Sequence, residues 1–304
     1  MKLLWFLAGI RSEFLTAVIR YAALVGEEVF IMVMMLVIYW CLNKDMAYRI
    51  GFAYFFSGLG VQTMKVIFRI PRPWVKDPSF PPVESALPSA TGYSFPSGHT
   101  QTAAALFGSL MFNTSKLGYR LLCLFLILLV GFSRMYMGVH TPMDVIVALV
   151  FSLAVAWITD KVIDSRGKKD DILMAGVLIA VAAVCTGYVY YLYSSGLVED
   201  AYLNDICKMT GAAVAFAVSM YVETKYINFS VKCARPWMQP VKLILGAGVL
   251  MGLKSGLKVV LGESAPASAV RYFIMIIWAM LLYPLIIAAI QKKGQRNETD
   301  KLER

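Results

Sequence analysis

The sequence predicts an all-α protein, a polytopic membrane helical bundle of about nine transmembrane helices with an N-terminal amphipathic helix. The 304-residue chain is 59% apolar with a mean hydropathy of +0.66, whereas soluble domains are about 45–50% apolar. The apolar residues also fall in long runs, and backbone in lipid must form either helices or a closed barrel. These runs are too long and too uniformly apolar for barrel strands, so a helical bundle follows.

A short amphipathic stretch precedes the membrane segments. Between residues 3 and 21 the apolar side chains recur on one helical face, whereas Arg11 and Ser12 lie off that face. Residues 1–26 are therefore predicted to form an interfacial amphipathic helix. Nine apolar segments follow, at roughly 28–42, 47–67, 100–113, 118–136, 142–163, 172–193, 205–222, 242–261 and 269–290.

Charge and cysteine content argue against two other classes of protein. The net charge is +10, but the basic residues cluster at the ends of apolar runs, so no nucleic-acid partner is expected. The five cysteines include no C-x-x-C pair and lie mostly in or beside apolar runs. They are interpreted as small buried side chains, and neither a metal site nor a cofactor is predicted.

Three polar blocks stand out against this apolar background. They read Lys65-x6-Arg72-Pro73, Pro96-Ser97-Gly98-His99 and Ser133-Arg134-x5-His140-x3-Asp144. The chain has only two histidines, and both belong to these blocks. Ionisable residues at membrane depth are costly and usually functional. The blocks together supply three cations, two imidazoles and a carboxylate, which points to a single chemical site.

The spacing of the apolar segments places all three blocks on one side of the membrane. The first two flank a proline-rich stretch from Trp74 to Ser94, which is predicted to be a loop over the site. The third follows two further crossings. On the side of the blocks most cations belong to the blocks themselves, and the loop near 195–205 is acidic. The opposite loops carry Lys44, Arg49, Lys116, Arg120, Arg166, Lys168, Lys169, Lys225, Lys232, Arg235, Lys292 and Lys293. The positive-inside rule then places the blocks outside the cytoplasm and the C-terminus inside.

The residue types suit phosphoryl transfer. The transition state spreads negative charge over the phosphate oxygens, and catalysis is mainly positioning and electrostatic stabilisation. Lys65, Arg72 and Arg134 can supply the positive charge without a metal, and arginine donates paired hydrogen bonds to phosphate. Gly98 lets the backbone approach a ligand, and the N-terminus of the helix that begins near Thr100 favours an anion.

The two histidines are predicted to divide the catalytic work. His99 is assigned as the nucleophile that forms a phosphohistidine. His140 is assigned as the acid that protonates the leaving oxygen and then as the base that activates water. Thr141 and Pro142 predict a helix start, from which Asp144 reaches back to fix the tautomer of His140 and stabilise its imidazolium.

Together the three blocks resemble the signature blocks of the type 2 phosphatidic acid phosphatase (PAP2) superfamily, over residues 47–163. The resemblance implies the metal-independent phosphohistidine mechanism on a helical core near the membrane face. It adds Ser97 and Gly98, and also Ser133, to the phosphate-binding residues. The stretch 133–140 is similar to that of sphingosine-1-phosphate phosphatases, and the nine-span layout is similar to glucose-6-phosphatase. Gly98 fits the broader group of bacterial lipid phosphatases.

The expected organisation follows from this resemblance. Residues 27–165 are expected to form the PAP2-like catalytic core, 166–290 additional C-terminal transmembrane helices, and 291–304 a polar cytoplasmic tail. Three roles stay open for the additional helices: covering the core, shaping a lipid entrance, or forming a homodimer interface. Short loops and a compact tail favour a bacterial plasma membrane.

The expected activity is hydrolysis of a lipid phosphate or lipid pyrophosphate whose head group reaches the extracytoplasmic face. Phosphatidate-type lipids, isoprenoid pyrophosphates and sphingoid-base phosphates are all candidate substrates, and surrounding membrane lipids are expected partners. Two alternatives stay open. A phosphotransferase would pass the phosphoryl group to an alcohol acceptor, and a lipid transporter or scaffold would use no catalytic histidine.

Overall fold

The structure, a computed structural model, describes residues 1–166, 171–233 and 236–302. It is 82% helical, and no strand occurs within these ranges. The predicted all-α bundle is therefore confirmed. Lys168, Lys169 and Arg235, which contributed to the predicted orientation, lie outside the described residues, as do the side chains from residue 294 onward.

Thirteen α-helices follow one another within the described ranges. They are α1 (Lys2–Gly9), α2 (Glu13–Ala23), α3 (Glu28–Val37), α4 (Lys44–Phe68), α5 (Pro73–Lys76), α6 (Gly98–Phe112), α7 (Leu117–Tyr136), α8 (Pro142–Arg166), α9 (Asp171–Ser194), α10 (Asp200–Val222), α11 (Met238–Leu261), α12 (Ala265–Ile277) and α13 (Tyr283–Leu302). Wider π-helical turns extend α3 to Leu42 and α10 to Ile227, and another joins α12 to α13. The predicted C-terminal tail from residue 291 is helical as far as Leu302.

Among the described residues, seven helical segments are long and apolar enough to cross a membrane. They are Lys44–Lys76, Leu117–Tyr136, Pro142–Ser165, Ile172–Ser194, Asp200–Ile227, Met238–Leu261 and Ala265–Lys293. Large apolar side chains cover their outer faces, for example Phe125 at 58% exposure, Val184 at 72% and Val259 at 86%. Such a surface suits contact with lipid, and the chain is a multi-pass membrane protein.

Two of the nine predicted segments differ from simple spans. The segment predicted at 28–42 reaches spanning length only together with Glu13–Gly26, from which it is bent by 51°. The segment predicted at 100–113 is α6, whose 15 residues rise only about 22 Å. Still, α6 begins at the polar blocks and ends at Asn113, which donates a 2.7 Å hydrogen bond to Asp160 near the far end of α8. It therefore runs from one end of the core to the other.

The N-terminal residues form two helices, where one amphipathic helix was expected over 3–21. Ser12 caps α2 by accepting a hydrogen bond from the Leu15 backbone N–H. The Arg11 guanidinium donates to the Tyr136 carbonyl from Nε at 3.0 Å and from Nη2 at 2.8 Å. This tie to the end of α7 interrupts the helix, since Arg11 must turn inward between α1 and α2.

Within residues 27–165, where the resemblance implies the core, the three blocks are carried by the packed helices α4, α6, α7 and α8 and the loops beside them. Helix α6 is enclosed by the other three, and its residues from Ala103 to Leu106 are fully buried. These residues are mostly alanines, and small side chains let membrane helices approach closely. The far end of the core is closed by an ion pair between Arg49 of α4 and Asp160 of α8. A short, tightly enclosed helix thus presents its N-terminus to the site.

The C-terminal helices pack against the core mainly through α10. Helices α10 and α12 cross closely at Gly211, where a Cβ would lie 2.1 Å from the Ala269 carbonyl oxygen. At the far end the fully buried Glu223 accepts hydrogen bonds from Lys44 at 3.0 Å and from the Tyr48 hydroxyl. The Glu223 contacts fix the end of α10 against the start of α4.

Candidate active site

The helix ends that carry the three sequence blocks meet at one end of the core. Lys65 lies in the last turn of α4, Arg72 just before α5, Ser97, Gly98 and His99 at the start of α6, Arg134 in the last turn of α7, His140 in the following loop, and Asp144 in the first turn of α8. The structure thus brings all eight predicted site residues to one end of the core, as expected from the number of crossings between the blocks.

The start of α8 holds His140 and Asp144 together. Thr141 caps the helix, and its backbone N–H donates to Asp144 Oδ2 at 2.7 Å. The same carboxylate oxygen accepts the Ser94 hydroxyl and lies 3.5 Å from His140 Nδ1. The predicted helix start and the approach of Asp144 to the imidazole are both confirmed. A carboxylate on this side of the ring favours a proton on Nδ1.

Arg72 is held by the proline-rich loop over the site, which runs from Trp74 to Ser94, and by the Val139 carbonyl. Its guanidinium donates to the carbonyls of Gly92 and Val139 at 3.0 Å and of Thr91 at 2.7 Å. Its Nη1 also lies 3.0 Å from His140 Nε2. An arginine only donates, so His140 Nε2 is the acceptor, in agreement with a proton on Nδ1. The loop therefore fixes a cation against the unprotonated nitrogen of His140.

His99 stands in the opposite hydrogen-bonding state. The Ser97 hydroxyl caps α6, which places His99 in the first turn. The His99 Nε2 atom lies 3.3 Å from Glu27 Oε1. An ionised carboxylate only accepts, so Nε2 of His99 carries the proton. His99 Nε2 thus donates a hydrogen bond, whereas His140 Nε2 accepts one.

Two further cations surround these imidazoles. Arg134 is only 2% exposed; its Nη1 lies 4.0 Å from Glu27 Oε1, and its Nε has no hydrogen-bond partner among the described residues. A Cβ added to Gly98 would lie 3.9 Å from Lys65 Nζ, which places that ammonium over the start of α6. A buried N–H of a charged group is costly when unpaired. Arg134 is therefore suited to an anionic ligand.

Burial sets the protonation of both histidines in the free protein. Burial lowers the pKa of His140, and the hydrogen bond to Asp144 offsets part of that lowering. Burial likewise lowers the pKa of His99, and its hydrogen bond to Glu27 acts in the opposite sense. Desolvation disfavours the charged form of an imidazole. Both rings are therefore mainly neutral at pH 7, and an arriving phosphate anion would raise both pKa values.

Sequence analysis missed two residues of this site. Ser94 is fully buried on Asp144, two residues before the second block. Glu27 contacts His99 from the turn between α2 and α3, and its only sequence signal is a charge between two apolar stretches. Ser133 donates within α7 to the Val130 carbonyl at 2.7 Å, so its hydroxyl is already used. Arg69 donates to the Val66 carbonyl and is not among the residues that line the site cavity.

Comparison with known protein families and proteins agrees with the resemblance to the PAP2 superfamily. Residues 46–168 match the PAP2 superfamily, and residues 207–295 match the transmembrane extension of PAP2 superfamily phosphatases. Undecaprenyl-diphosphatase BcrC of Bacillus subtilis is 34% identical over 31% of this chain and 45% of its own length. A probable sphingosine-1-phosphate phosphatase of Dictyostelium discoideum is 30% identical over 47% of this chain and 37% of its own. The chain thus matches about half or less of these relatives' lengths.

One solved structure is also similar. The crystal structure of LpxE from Aquifex aeolicus matches with a TM-score of 0.46 and 23% sequence identity. The match covers 53% of this chain and 93% of the LpxE chain.

Proposed function

The chain belongs to the PAP2 superfamily, and we propose that it is a metal-independent membrane phosphatase that hydrolyses a lipid phosphate or lipid pyrophosphate. One observation carries the proposal: two imidazoles in opposite hydrogen-bonding states line one cavity together with Lys65 and Arg72. One ring offers a lone pair and the other offers a proton. A two-step phosphoryl transfer requires both.

Phosphate binding is assigned to groups whose hydrogen-bonding capacity is not used within the site. Arg134 Nε is unpaired among the described residues, and Lys65 lies over the first turn of α6. The Ser97 hydroxyl accepts from Thr100, so its own proton is free to donate. The N-terminus of α6 adds backbone N–H groups and positive dipole charge. This set supplies positive charge around a phosphorus centre without a metal.

The first step forms a bond between His140 Nε2 and phosphorus. Bound phosphate raises the pKa of His99 and converts its ring to the imidazolium. As the bond from His140 forms, the bond from phosphorus to the leaving oxygen breaks, and the His99 imidazolium gives its Nε2 proton to that oxygen. Asp144 stabilises the positive charge that develops on His140. Arg72 lies 3.0 Å from the attacking nitrogen, so it is placed to neutralise an equatorial phosphate oxygen once the ring turns to substrate.

The second step releases phosphate. His99, now neutral, accepts a proton from water while the water oxygen bonds to phosphorus. The bond from His140 Nε2 to phosphorus then breaks, and both histidines return to their starting states. This assignment exchanges the roles that sequence analysis gave the two histidines. The sequence identifies the residues, whereas the contacts of Asp144 and Arg72 with His140 and of Glu27 with His99 support the proton assigned to each ring.

The substrate class rests on the relatives and on the position of the site. The two relatives described above are phosphatases of an undecaprenyl pyrophosphate and of a sphingoid-base phosphate by name. The site lies at the ends of membrane-spanning helices, so a lipid head group can reach it from the bilayer surface. The excess of loop cations at the opposite end favours an extracytoplasmic site.

The test is phosphate release by the purified protein in the presence of EDTA. The panel contains a phosphatidate, an isoprenoid pyrophosphate and a sphingoid-base phosphate, and release from at least one is expected. His140→Ala should abolish both turnover and an acid-labile phosphoenzyme. His99→Ala should keep the phosphoenzyme when the substrate has an activated leaving group that needs no proton.

A matched control and a contrary result complete the test. Arg134→Ala should lose activity because its buried Nε is unpaired among the described residues, whereas Arg69→Ala should retain it because Arg69 Nε is already used on the Val66 carbonyl. Phosphoenzyme that persists in His140→Ala but vanishes in His99→Ala would restore the original role assignment. Transfer of labelled phosphate to an added alcohol in preference to water would indicate a phosphotransferase.

A further inference from the structure

A cavity of about 490 Å³ leads from the two histidines into the interior of the bundle. One face of α4 lines it from end to end through Ala47, Gly51, Phe55, Gly58, Val61 and Lys65. These positions are three or four residues apart, as on a single helical face. At 1.5 Å per residue, the stretch from Ala47 to Lys65 spans about 27 Å, close to the hydrocarbon thickness of a bilayer.

The character of the cavity wall changes along its length. At the catalytic end α10 contributes Asp205 and Lys208, which form a 3.0 Å ion pair. One turn further Ala212 lines the wall, and Phe216 follows another turn below. Away from the histidines the wall is largely apolar and includes Met32, Met35, Met209, Leu250 and Met275. Methionine adapts its shape readily, so this wall suits flexible chains of varied form.

Contacts between α3 and the C-terminal helices lie at the far end of the cavity. The Tyr39 hydroxyl donates to the Met280 carbonyl at 2.9 Å, and Trp40 Nε1 donates to the Ala279 carbonyl at 2.8 Å. Tyr39, Ala279 and Met280 also line the cavity. The cavity therefore has a head end with charges and imidazoles, an apolar shaft and an apolar floor.

We propose that this cavity is a tail chamber, which holds the single hydrocarbon chain of the substrate while its phosphate lies between His99 and His140. The proposal rests on the phosphatase function above and assigns the C-terminal helices a role, since α10, α11 and α12 supply one side of the shaft. A volume of 490 Å³ falls within the range of about 300–1,000 Å³ typical of small-molecule pockets. The polar head end and apolar shaft match the two halves of a lipid phosphate.

The proposal predicts a dependence of activity on chain length. Each methylene that moves from water into the chamber should raise kcat/KM by up to about fourfold. The probes are butyl, hexyl, octyl and decyl phosphate, used below their micelle concentrations with protein in nanodiscs. We expect kcat/KM to rise steadily from butyl to decyl phosphate.

A pair of matched substitutions tests where the chain lies. Ala212→Phe places a ring in the shaft, whereas Ala183→Phe makes the same change on the exposed face of α9. Ala212→Phe should lower the decyl-to-butyl ratio of kcat/KM at least tenfold, and Ala183→Phe should leave that ratio as it is. Equal ratios in both variants would overturn the tail chamber.

A second measurement does not depend on a folded variant. Decyl phosphate with a diazirine at its chain end is bound to the wild-type protein and activated by light. Attachment to Met209, which packs at Gly58 about 10 Å below Lys65, or to Ala212 one turn further is expected, and attachment to Val184 or Val249 on the outer faces of α9 and α11 would overturn the proposal. Absence of phosphate release from every substrate would defeat the proposed function itself. Release with no dependence on chain length would defeat the tail chamber alone.

Discussion

Replacing Asp144 by asparagine tests the assignment of His140 as the nucleophile. Asp144 is 1% exposed, and its Oδ2 lies 3.5 Å from His140 Nδ1. When His140 attacks phosphorus its ring becomes cationic, and at an effective dielectric constant of about 20 a carboxylate at this distance stabilises that charge by about 5 kcal/mol. Asparagine keeps an acceptor for the Thr141 N–H but loses this charge. Because its amide dipole recovers part of the stabilisation, kcat should fall by about 10²–10³-fold.

The assay is single-turnover formation of the phosphoenzyme with a water-soluble activated phosphate. The rate of phosphoenzyme formation should fall with kcat, because the charge on His140 develops in that step. Asp160→Asn is the matched control, since Asp160 is also a buried aspartate of α8 but pairs with Arg49 at the far end. It should lower the unfolding temperature and leave the rate of phosphoenzyme formation unchanged. An Asp144→Asn protein that forms phosphoenzyme at more than a tenth of the wild-type rate would refute the reasoning.

Three further predictions concern the same site. Burial lowers the pKa values of both His99 and His140 below 6.5. The pH profile of kcat/KM should therefore decline at pH values under the pKa of His140, which must be unprotonated, and at pH values over the pKa of His99, which must be protonated. A flat profile through pH 8 would contradict this. Glu27→Gln removes an anion 3.3 Å from His99, and this loss lowers the pKa of His99 further. The decline of kcat/KM on the alkaline side of its pH profile should therefore begin at lower pH. The Cβ that Gly98→Ala adds would have only Lys65 Nζ as a neighbour, at 3.9 Å. The unfolding temperature should therefore stay the same, while the inhibition constant of vanadate should rise.

Local signals in the sequence predicted much of the site. The cap at Thr141 and the return of Asp144 to His140 are contacts within four residues, which helix-start chemistry specifies. That the three blocks lie at one end of the core was predicted from the number of helices between them alone. Where short-range rules decide the geometry, a single sequence is sufficient.

Other features depend on contacts between distant parts of the chain. Glu27 lies 72 residues from His99, and Arg11 lies 125 residues from the Tyr136 carbonyl that interrupts the first helix. Apolar periodicity cannot reveal either contact, since each is set by how whole helices pack. The proposed exchange of histidine roles has the same origin, because it rests on the contacts of Glu27 and Arg72, which lie outside the block that holds each ring.

Helix α4 connects the chemistry to the tail chamber. The same face that ends in Lys65 at the phosphate site lines the chamber down to Ala47. Beyond Ala47, Lys44 is held by Glu223 of the extension at 3.0 Å, and Glu223 is fully buried. The distance from the phosphate site to the floor is therefore set by one rigid helix that is anchored to α10. A chain too long for that distance must lift its phosphate away from Lys65, so the chamber should limit turnover of long chains as well as favour medium ones.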